Sequence, residues 1–188
     1  MNAAEYVSVL VSIVIGLAIA DILFSLHRLL RAGRRVKWDW AAPLATALVL
    51  MVLVMMWWSF YQPEPRPLSI GEFLPSFVLL VLLFLLGGAA LPDETPAEGI
   101  DLRAYYDSNG RYFWTLFALT MAWLLLVDFV GAALRGADLR PVLEGSLVEF
   151  GILAVFVSLI FVRRRWWHAV AFLILATGPV GWVARTLG

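Results

Sequence analysis

Three acidic residues lie within strongly apolar segments of this 188-residue sequence: Asp21, Asp128 and Glu149. Charge is costly inside a bilayer, so an acid in such a segment marks either an ion or proton site or an ion pair between helices. Arg185, near the end of the last apolar segment, is the preferred partner of Asp128, and Arg135 is the alternative. Asp128, Glu149 and Arg185 together form a predicted outer polar cluster.

Asp21 is expected to lie near the opposite membrane face from this cluster. At about 1.5 Å rise per residue in a core about 30 Å thick, Asp21 and Asp128 differ by about 15 Å in depth. The two carboxyl groups therefore do not form one catalytic dyad. Ion pairs that hold helices together are the favoured interpretation, and a proton or cation site is the alternative.

The sequence has two histidines, His27 and His168, at similar depth in different apolar segments. Two such histidines can ligate a haem iron from both sides. Both are flanked by Arg or Trp at a membrane interface, where unliganded histidines are common. We therefore expect no haem, no metal and no other cofactor, and the lack of Cys excludes thiolate clusters and disulfides.

The composition is that of a membrane protein. Hydrophobic residues make up 62% and charged residues 15% of the chain, whereas soluble domains have about 45–50% and about 25%. The net charge of zero argues against a nucleic-acid partner. The sequence contains no His-Glu-x-x-His or Gly-x-Ser-x-Gly motif, so we do not expect an enzyme.

The elements that position these residues are six segments long enough to span a bilayer, each with about 20 mainly apolar residues. The predicted spans are 6–30, 40–61, 70–91, 112–134, 142–162 and 166–187. They predict an all-α polytopic membrane protein in which residues 1–188 form a single helical bundle. Tryptophans near the span ends, Trp114 among them, are expected to form interfacial belts.

Two regions of this map are less regular. The fifth span carries Glu144 and Glu149 in its first half, so five spans with an interfacial segment there are the alternative. The capping-box sequence from Thr95 to Glu98 predicts a short interfacial helix over 96–106. Residues 107–110, Asp-Ser-Asn-Gly, predict a turn.

Basic residues are unevenly divided between the two sides of the predicted bundle. The first, third and fifth loops hold ten Lys and Arg, and the other side holds four. The positive-inside rule places these loops in the cytoplasm and both termini in the periplasm. Residues expected to contact anionic lipid headgroups are Arg31, Arg34, Arg35, Lys37, Arg163, Arg164 and Arg165.

Small residues and a weak repeat suggest how the spans associate. Ser12, Gly16 and Ala20 form a small-xxx-small stripe in the first span, and Gly151, Ala154 and Ser158 form another in the fifth. A shift of 107 residues aligns Asp21 with Asp128 and Arg28 with Arg135. This alignment is either a 3+3 inverted repeat, as in many transporters, or a chance match among apolar positions.

Several short motifs cluster in the first 60 residues. They are Glu5-Tyr6-Val7-Ser8-Val9-Leu10, Ser12-Ile13, Gly16-Leu17, Arg31-Ala32-Gly33-Arg34-Arg35-Val36 and Trp57-Trp58. They resemble the opening of an uncharacterised group of small multi-pass proteins from bacterial inner membranes. The resemblance implies a location in the bacterial inner membrane. None of its motifs is catalytic, and it gives no indication of an activity.

The sequence thus favours a noncatalytic structural or interaction subunit of the bacterial inner membrane, as a homo-oligomer or part of a larger membrane complex. The alternative is a small proton- or ion-coupled transporter or channel that uses Asp21, Asp128 and Glu149.

The charge asymmetry predicts the topology directly. Reporter fusions at both termini should give periplasmic signals, and a fusion at the Arg163–Arg165 turn should give a cytoplasmic one. A cytoplasmic signal from either terminus would contradict the six-span topology with both ends outside.

Overall fold

The computed structural model describes residues 3–60 and 70–186, without the side chains of 3–6, 70, 72, 179, 180 and 183–186. This part of the chain is helical apart from short connections and two two-residue strands. In chain order its elements are α1 (Ala3–Ala32), a 3-10 turn (Gly33–Arg35), β1 (Val36–Lys37), α2 (Ala41–Ser59), α3 (Ile70–Gly88), β2 (Ile100–Asp101), α4 (Leu102–Leu134), α5 (Leu139–Gly145), α6 (Leu147–Phe161) and α7 (Arg165–Thr186).

The long helices alternate in direction along the chain. Trp57, near the end of α2, donates from Nε1 to Oγ of Ser12 in the first half of α1 at 3.2 Å. Trp123, well into α4, donates from Nε1 to the carbonyl of Pro75 near the start of α3 at 2.9 Å. The ring centroids of Phe129 in α4 and Phe150 in α6 lie 6.0 Å apart, although these residues lie at opposite ends of their helices in sequence.

These directions bring three connections to one end of the bundle. They are the segments 33–40, 89–101 and 162–165. We call the region formed by these connections and the first turns of α4 the basic end. Strands β1 and β2 pair there in parallel, with Val36 opposite Ile100 and Lys37 opposite Asp101. Loops one, three and five of the predicted map therefore lie at the same end of the bundle.

An aromatic layer forms the centre of the core. The side chain of Trp114 is fully buried, and its ring stacks on Phe117 at 5.4 Å and on Phe156 at 6.0 Å between centroids. Phe172 of α7 lies 5.6 Å from the same indole. The belt interpretation of Trp114 was therefore wrong, because three helices enclose its ring.

The predicted interfacial helix at 96–106 is also wrong. The amide of Gly99 donates to the carbonyl of Pro96 at 2.9 Å, and Gly99 has a φ of +97°, which favours glycine. A Cβ at Gly99 would collide with the backbone carbonyl of Arg35. The segment turns here to reach β1, so the capping-box sequence starts no helix.

Helix α4 instead begins at Leu102, ten residues before the predicted fourth span. Asp101 caps it, because its carboxylate accepts the amides of Arg103 and Ala104 at 2.9 and 3.2 Å. The predicted turn at 107–110 is helical. Ser108, one of these residues, makes a hydrogen bond within the helix, because its Oγ donates to the carbonyl of Tyr105 at 2.9 Å.

The fifth predicted span is broken. Helices α5 and α6 meet at Ser146 with a bend of 56°. Within the described residues, three segments are long and apolar enough to cross a bilayer, or four if the bent pair counts as one. The three are Val7–Arg35, Ala41–Ser59 and Leu102–Leu134. An all-helical chain with several apolar helices is thus confirmed, and the count of six spans is not.

The glycines of the two small-residue stripes do not make the close helix contacts expected inside the bundle. Gly16 and Gly151 are exposed, with open space where a Cβ would lie. Helix α1 packs on α3 through another face, where a Cβ on Gly87 would lie 3.2 Å from the Cβ of Ala18. In the first half of the chain α1 packs most closely on α3, whereas in the second half α4 packs most closely on α6 rather than on α7. The two halves therefore pack differently, and the inverted repeat stays a prediction.

The turn at Gly99 gives a test of the basic end. Gly99→Ala should lower the free energy of unfolding by about 1–3 kcal/mol, because alanine disfavours this φ and its Cβ displaces the Arg35 carbonyl. Thermal unfolding in detergent, followed by circular dichroism, measures the change. Gly136→Ala is the control, since Gly136 has a φ of +67° but open space around it, and its loss should be smaller. Equal melting temperatures for Gly99→Ala and the parent would contradict this turn.

Candidate functional site

An ion-pair network at the basic end joins three distant parts of the chain. Nη1 of Arg165 donates to Oδ2 of Asp39 at 2.7 Å, and Nη2 donates to Oδ1 at 3.1 Å. The same guanidinium lies 3.6 Å from Oδ1 of Asp107. We call Asp39, Asp107 and Arg165 the clamp, because it links the start of α2, the first turns of α4 and the start of α7.

The sequence around Asp39 explains why it can play this role. Its Oδ1 also accepts the amide of Ala41, the first residue of α2, at 3.1 Å, so the backbone fixes the carboxylate before any ion pair forms. The Arg165 guanidinium, through its two hydrogen bonds, holds the pKa of the Asp39 carboxyl below its usual value, although partial burial acts in the opposite direction. The bidentate geometry is the strong form of an Arg–carboxylate pair.

Aromatic contacts hold Arg165 in place. Its guanidinium carbon lies 6.0 Å from the centroid of the Trp40 ring, within range of a cation–π interaction. Trp40 in turn packs edge-on against Phe172 at 6.1 Å. Arg165 is thus enclosed between α2 and α7 and only partly exposed. It therefore does not take the lipid-facing position expected for it.

A chain of hydrogen bonds runs from the aromatic layer towards the clamp. Trp114 Nε1 donates to the Tyr106 hydroxyl at 3.1 Å, and that hydroxyl lies 2.8 Å from Nδ1 of His168. Nε2 of His168 lies 2.9 Å from the carbonyl of Val162. A carbonyl only accepts, so Nε2 carries the proton, and Nδ1 of the neutral ring accepts from Tyr106. All three buried polar side chains are thereby satisfied.

The end of α3 is fixed to α4 in the same region. The carbonyl of Ala89, just past the last residue of α3, accepts from Asn109 Nδ2 at 2.9 Å and from the Tyr105 hydroxyl at 3.3 Å. Asn109 Nδ2 also lies 3.1 Å from that hydroxyl. These bonds satisfy a backbone acceptor that the helix end leaves free.

Two cavities lie between α4, α6 and α7. One, of about 290 Å³, opens at the basic end beside the clamp, and we call it the basic cavity. The other, of about 170 Å³, lies deeper and also borders α2. Its lining is apolar except for Thr120, whose hydroxyl donates to the carbonyl of Leu116 at 2.8 Å.

The acids predicted as candidate sites lie apart from these features. Asp21 is half-buried, with Oδ2 3.7 Å from where a Cβ on Gly88 would lie. Asp128 and Glu149 are exposed on the outer surface of α4 and α6. None of the three lines either cavity or makes an ion pair with a described side chain. The side chain of Arg185 lies outside the described residues, so its pair with Asp128 stays a prediction.

Most of the predicted lipid-contacting residues are accessible. Exposed side chains at the basic end are Arg31, Arg34, Arg35, Lys37, Arg163 and Arg164. Arg165 is the exception, since two carboxylates draw it inwards. Arg28 donates from Nη2 to Oγ of the buried Ser25 at 3.0 Å.

The two histidines differ in environment. His27 is exposed, whereas His168 is buried and both of its ring nitrogens make hydrogen bonds. An iron ligand needs a free nitrogen, so His168 would have to break one of these bonds to bind haem.

Sequence reasoning missed the residues that assemble the basic end. Asp107 was read as part of a turn and Trp114 as an interfacial residue. One signal was available: Tyr106, Trp114 and Phe117 are spaced by eight and three residues, so they share one face of a helix that begins before residue 106.

Comparisons of the chain with protein-family models, with curated proteins and with solved structures find no match. The apolar helices fit a membrane protein, and the network at the basic end joins polar side chains of separate helices to one another and to backbone groups.

The clamp predicts a coupled loss of stability. Asp39→Asn and Arg165→Gln should each lower the free energy of unfolding by about 1–3 kcal/mol, because each leaves a partly buried charge without its partner. The double variant should lose less than the sum of the two. Thermal unfolding in neutral detergent measures the cycle.

The control is Glu144→Gln, which breaks the exposed Arg140–Glu144 pair at 3.1 Å and should leave stability nearly unchanged. Additive losses in the double variant would contradict a direct interaction between Asp39 and Arg165.

The lowered pKa of Asp39 sets a pH dependence. The folded-state pKa lies below the unfolded value of about 3.9, so this pair contributes its full stability above that pH. The contribution disappears as the pH falls through the folded-state pKa. The melting-temperature difference between the parent and Asp39→Asn should therefore be constant at neutral pH and shrink below about pH 3.9. A difference that grows on acidification would contradict this assignment.

Proposed function

We propose that this chain is a noncatalytic structural or interaction subunit of the bacterial inner membrane. The observation that carries the proposal is the clamp, with its hydrogen-bonded neighbours. At the basic end, the buried or partly buried polar side chains bind one another or backbone groups and hold separate helices together. Groups used in this way stabilise a bundle.

The six-span arrangement, with both termini periplasmic, is part of this proposal. Helices of 19 and 22 residues, the lengths of α3 and α7, extend about 28 and about 33 Å, which suits a core about 30 Å thick. Helix α6 alone, at 15 residues, is too short, and the oblique α5 completes that span. The grouping of three connections at one end supports an even alternation of spans.

Association with further helices is also proposed. Gly16, in the middle of the small-residue stripe of α1, is exposed, and small side chains let another helix approach closely in lipid. Gly151 and Ala154 give α6 a similar outer face. A homo-oligomer, or a place in a larger membrane complex, would use these surfaces.

The acids in the spans provide the test against transport. If Asp128 pairs with Arg185 to hold helices together, Asp128→Asn should lower the melting temperature, and adding Arg185→Gln should recover part of the loss. Under the same proposal, liposomes containing the parent protein should show no proton or alkali-cation flux above empty liposomes. Asp21→Asn is measured in parallel, because an inverted repeat requires the two aspartates to behave alike.

The contrary result is equally clear. If the parent shows a flux that either Asp→Asn variant abolishes, and the melting temperature of that variant is unchanged, the proposed structural role is wrong and ion or proton transport takes its place.

A further inference from the structure

The basic cavity has more positive charge than the carboxylates beside it can balance. Four arginines line it, together with a single carboxylate, that of Asp107. The described lining also includes Tyr106, Gly110, Leu159, Ile160 and His168, and the arginines are Arg103, Arg111, Arg163 and Arg165.

Two of these arginines already have acidic partners. Arg165 binds Asp39 and lies near Asp107, and Nε of Arg103 lies 4.0 Å from Oδ2 of Asp107. Arg111 and Arg163 make no ion pair with any residue in the described part of the chain. Two uncompensated guanidinium groups, on α4 and just after α6, thus border one cavity.

A further donor at the cavity lacks a partner. Nε of Arg165 is buried and makes no hydrogen bond to any described residue. Most buried donors in proteins are satisfied. The side chain of Arg165, which lines the cavity, therefore has one N–H for which the described chain supplies no acceptor.

We propose that the basic cavity binds a phosphate group, either of a phosphate monoester or as the free ion, with Arg111 and Arg163 as its main ligands. Such a group carries about −1.5 to −2 charge near neutral pH, which matches two free guanidinium groups. Arginine binds phosphate with two parallel hydrogen bonds. This binding site is separate from the structural role above and does not depend on it.

The cavity wall indicates what carries the phosphate. Leu159 and Ile160 form an apolar side next to the arginines, and the exposed Trp166 follows the same turn. Tryptophan and arginine at a helix end are typical of headgroup depth. A phosphomonoester lipid offers both the charge and an apolar stem, while free phosphate offers the charge alone.

The experiment compares two double variants that remove equal charge from the same end. Arg111→Gln with Arg163→Gln removes the two proposed ligands. Arg34→Gln with Arg164→Gln is the control, because these arginines are exposed at the basic end but do not line the cavity. Neither double variant breaks an ion pair between described residues, so melting temperatures without ligand should match the parent.

Binding is measured with two probes at low ionic strength. One is inorganic phosphate added to the protein in neutral detergent, against chloride at the same ionic strength. The other is a phosphatidylcholine nanodisc containing phosphatidic acid, against one containing phosphatidylglycerol. We expect phosphatidic acid to bind the parent more tightly than phosphatidylglycerol, and the affinity to fall about tenfold or more in Arg111→Gln with Arg163→Gln. The control should change the preference for phosphatidic acid over phosphatidylglycerol by about twofold or less, because exposed arginines attract both anionic lipids alike.

Each outcome decides the proposal. Selective loss of phosphatidic acid binding supports it with a lipid as the source, and selective loss of inorganic phosphate binding supports it with a free phosphate. Equal losses in the two double variants would mean diffuse attraction to a basic surface and would overturn it. Binding of neither probe to the parent would also overturn it.

Discussion

The bidentate pair between Asp39 and Arg165 joins residues 126 positions apart, and the order of the basic end depends on it. Asp39 is anchored by the first amide of α2, and Arg165 begins α7, so their ion pair sets the relative position of these two helices. Asp107 extends the link to α4. Because the pair is mostly shielded from water, its geometry is held more firmly than that of an exposed pair.

The aromatic layer and the clamp support each other. Trp114 is buried among rings from α4, α6 and α7, yet its indole N–H needs an acceptor. The Tyr106 hydroxyl accepts this N–H and donates in turn to Nδ1 of His168. Nε2 of His168 then donates to a backbone carbonyl. A polar chain of this kind fixes the rotation of α4 against α7, because a small rotation of either helix would leave a buried donor unsatisfied.

The lengths of the apolar segments and the charges of the loops can be predicted from the sequence, because both depend only on residues that are close together along the chain. Helices α1, α2, α3 and α7 fall on predicted segments within a few residues. The region from Thr95 to Gly110 was misread because tertiary contacts decided it: Gly99 makes room for the Arg35 carbonyl, and Asn109 reaches back to Ala89. The clamp was not predicted, since nothing local to Asp39 indicates a partner at residue 165. The acids inside the predicted spans can be picked out from the sequence because they are charged residues in apolar segments. Their residue type alone does not show that they lie close together in the fold.

The clamp also has a consequence for the order in which the protein is assembled. Synthesis runs from the N-terminus, so Asp39 is made 126 residues before Arg165, and α2 to α6 must take their places while its final partner is missing. At the end of the bundle, water can solvate the waiting carboxylate, which would be far more costly in the middle of the membrane. The pair therefore closes only once α7 has been made, and in a chain interrupted before α7 the Asp39 carboxylate has no guanidinium partner at residue 165.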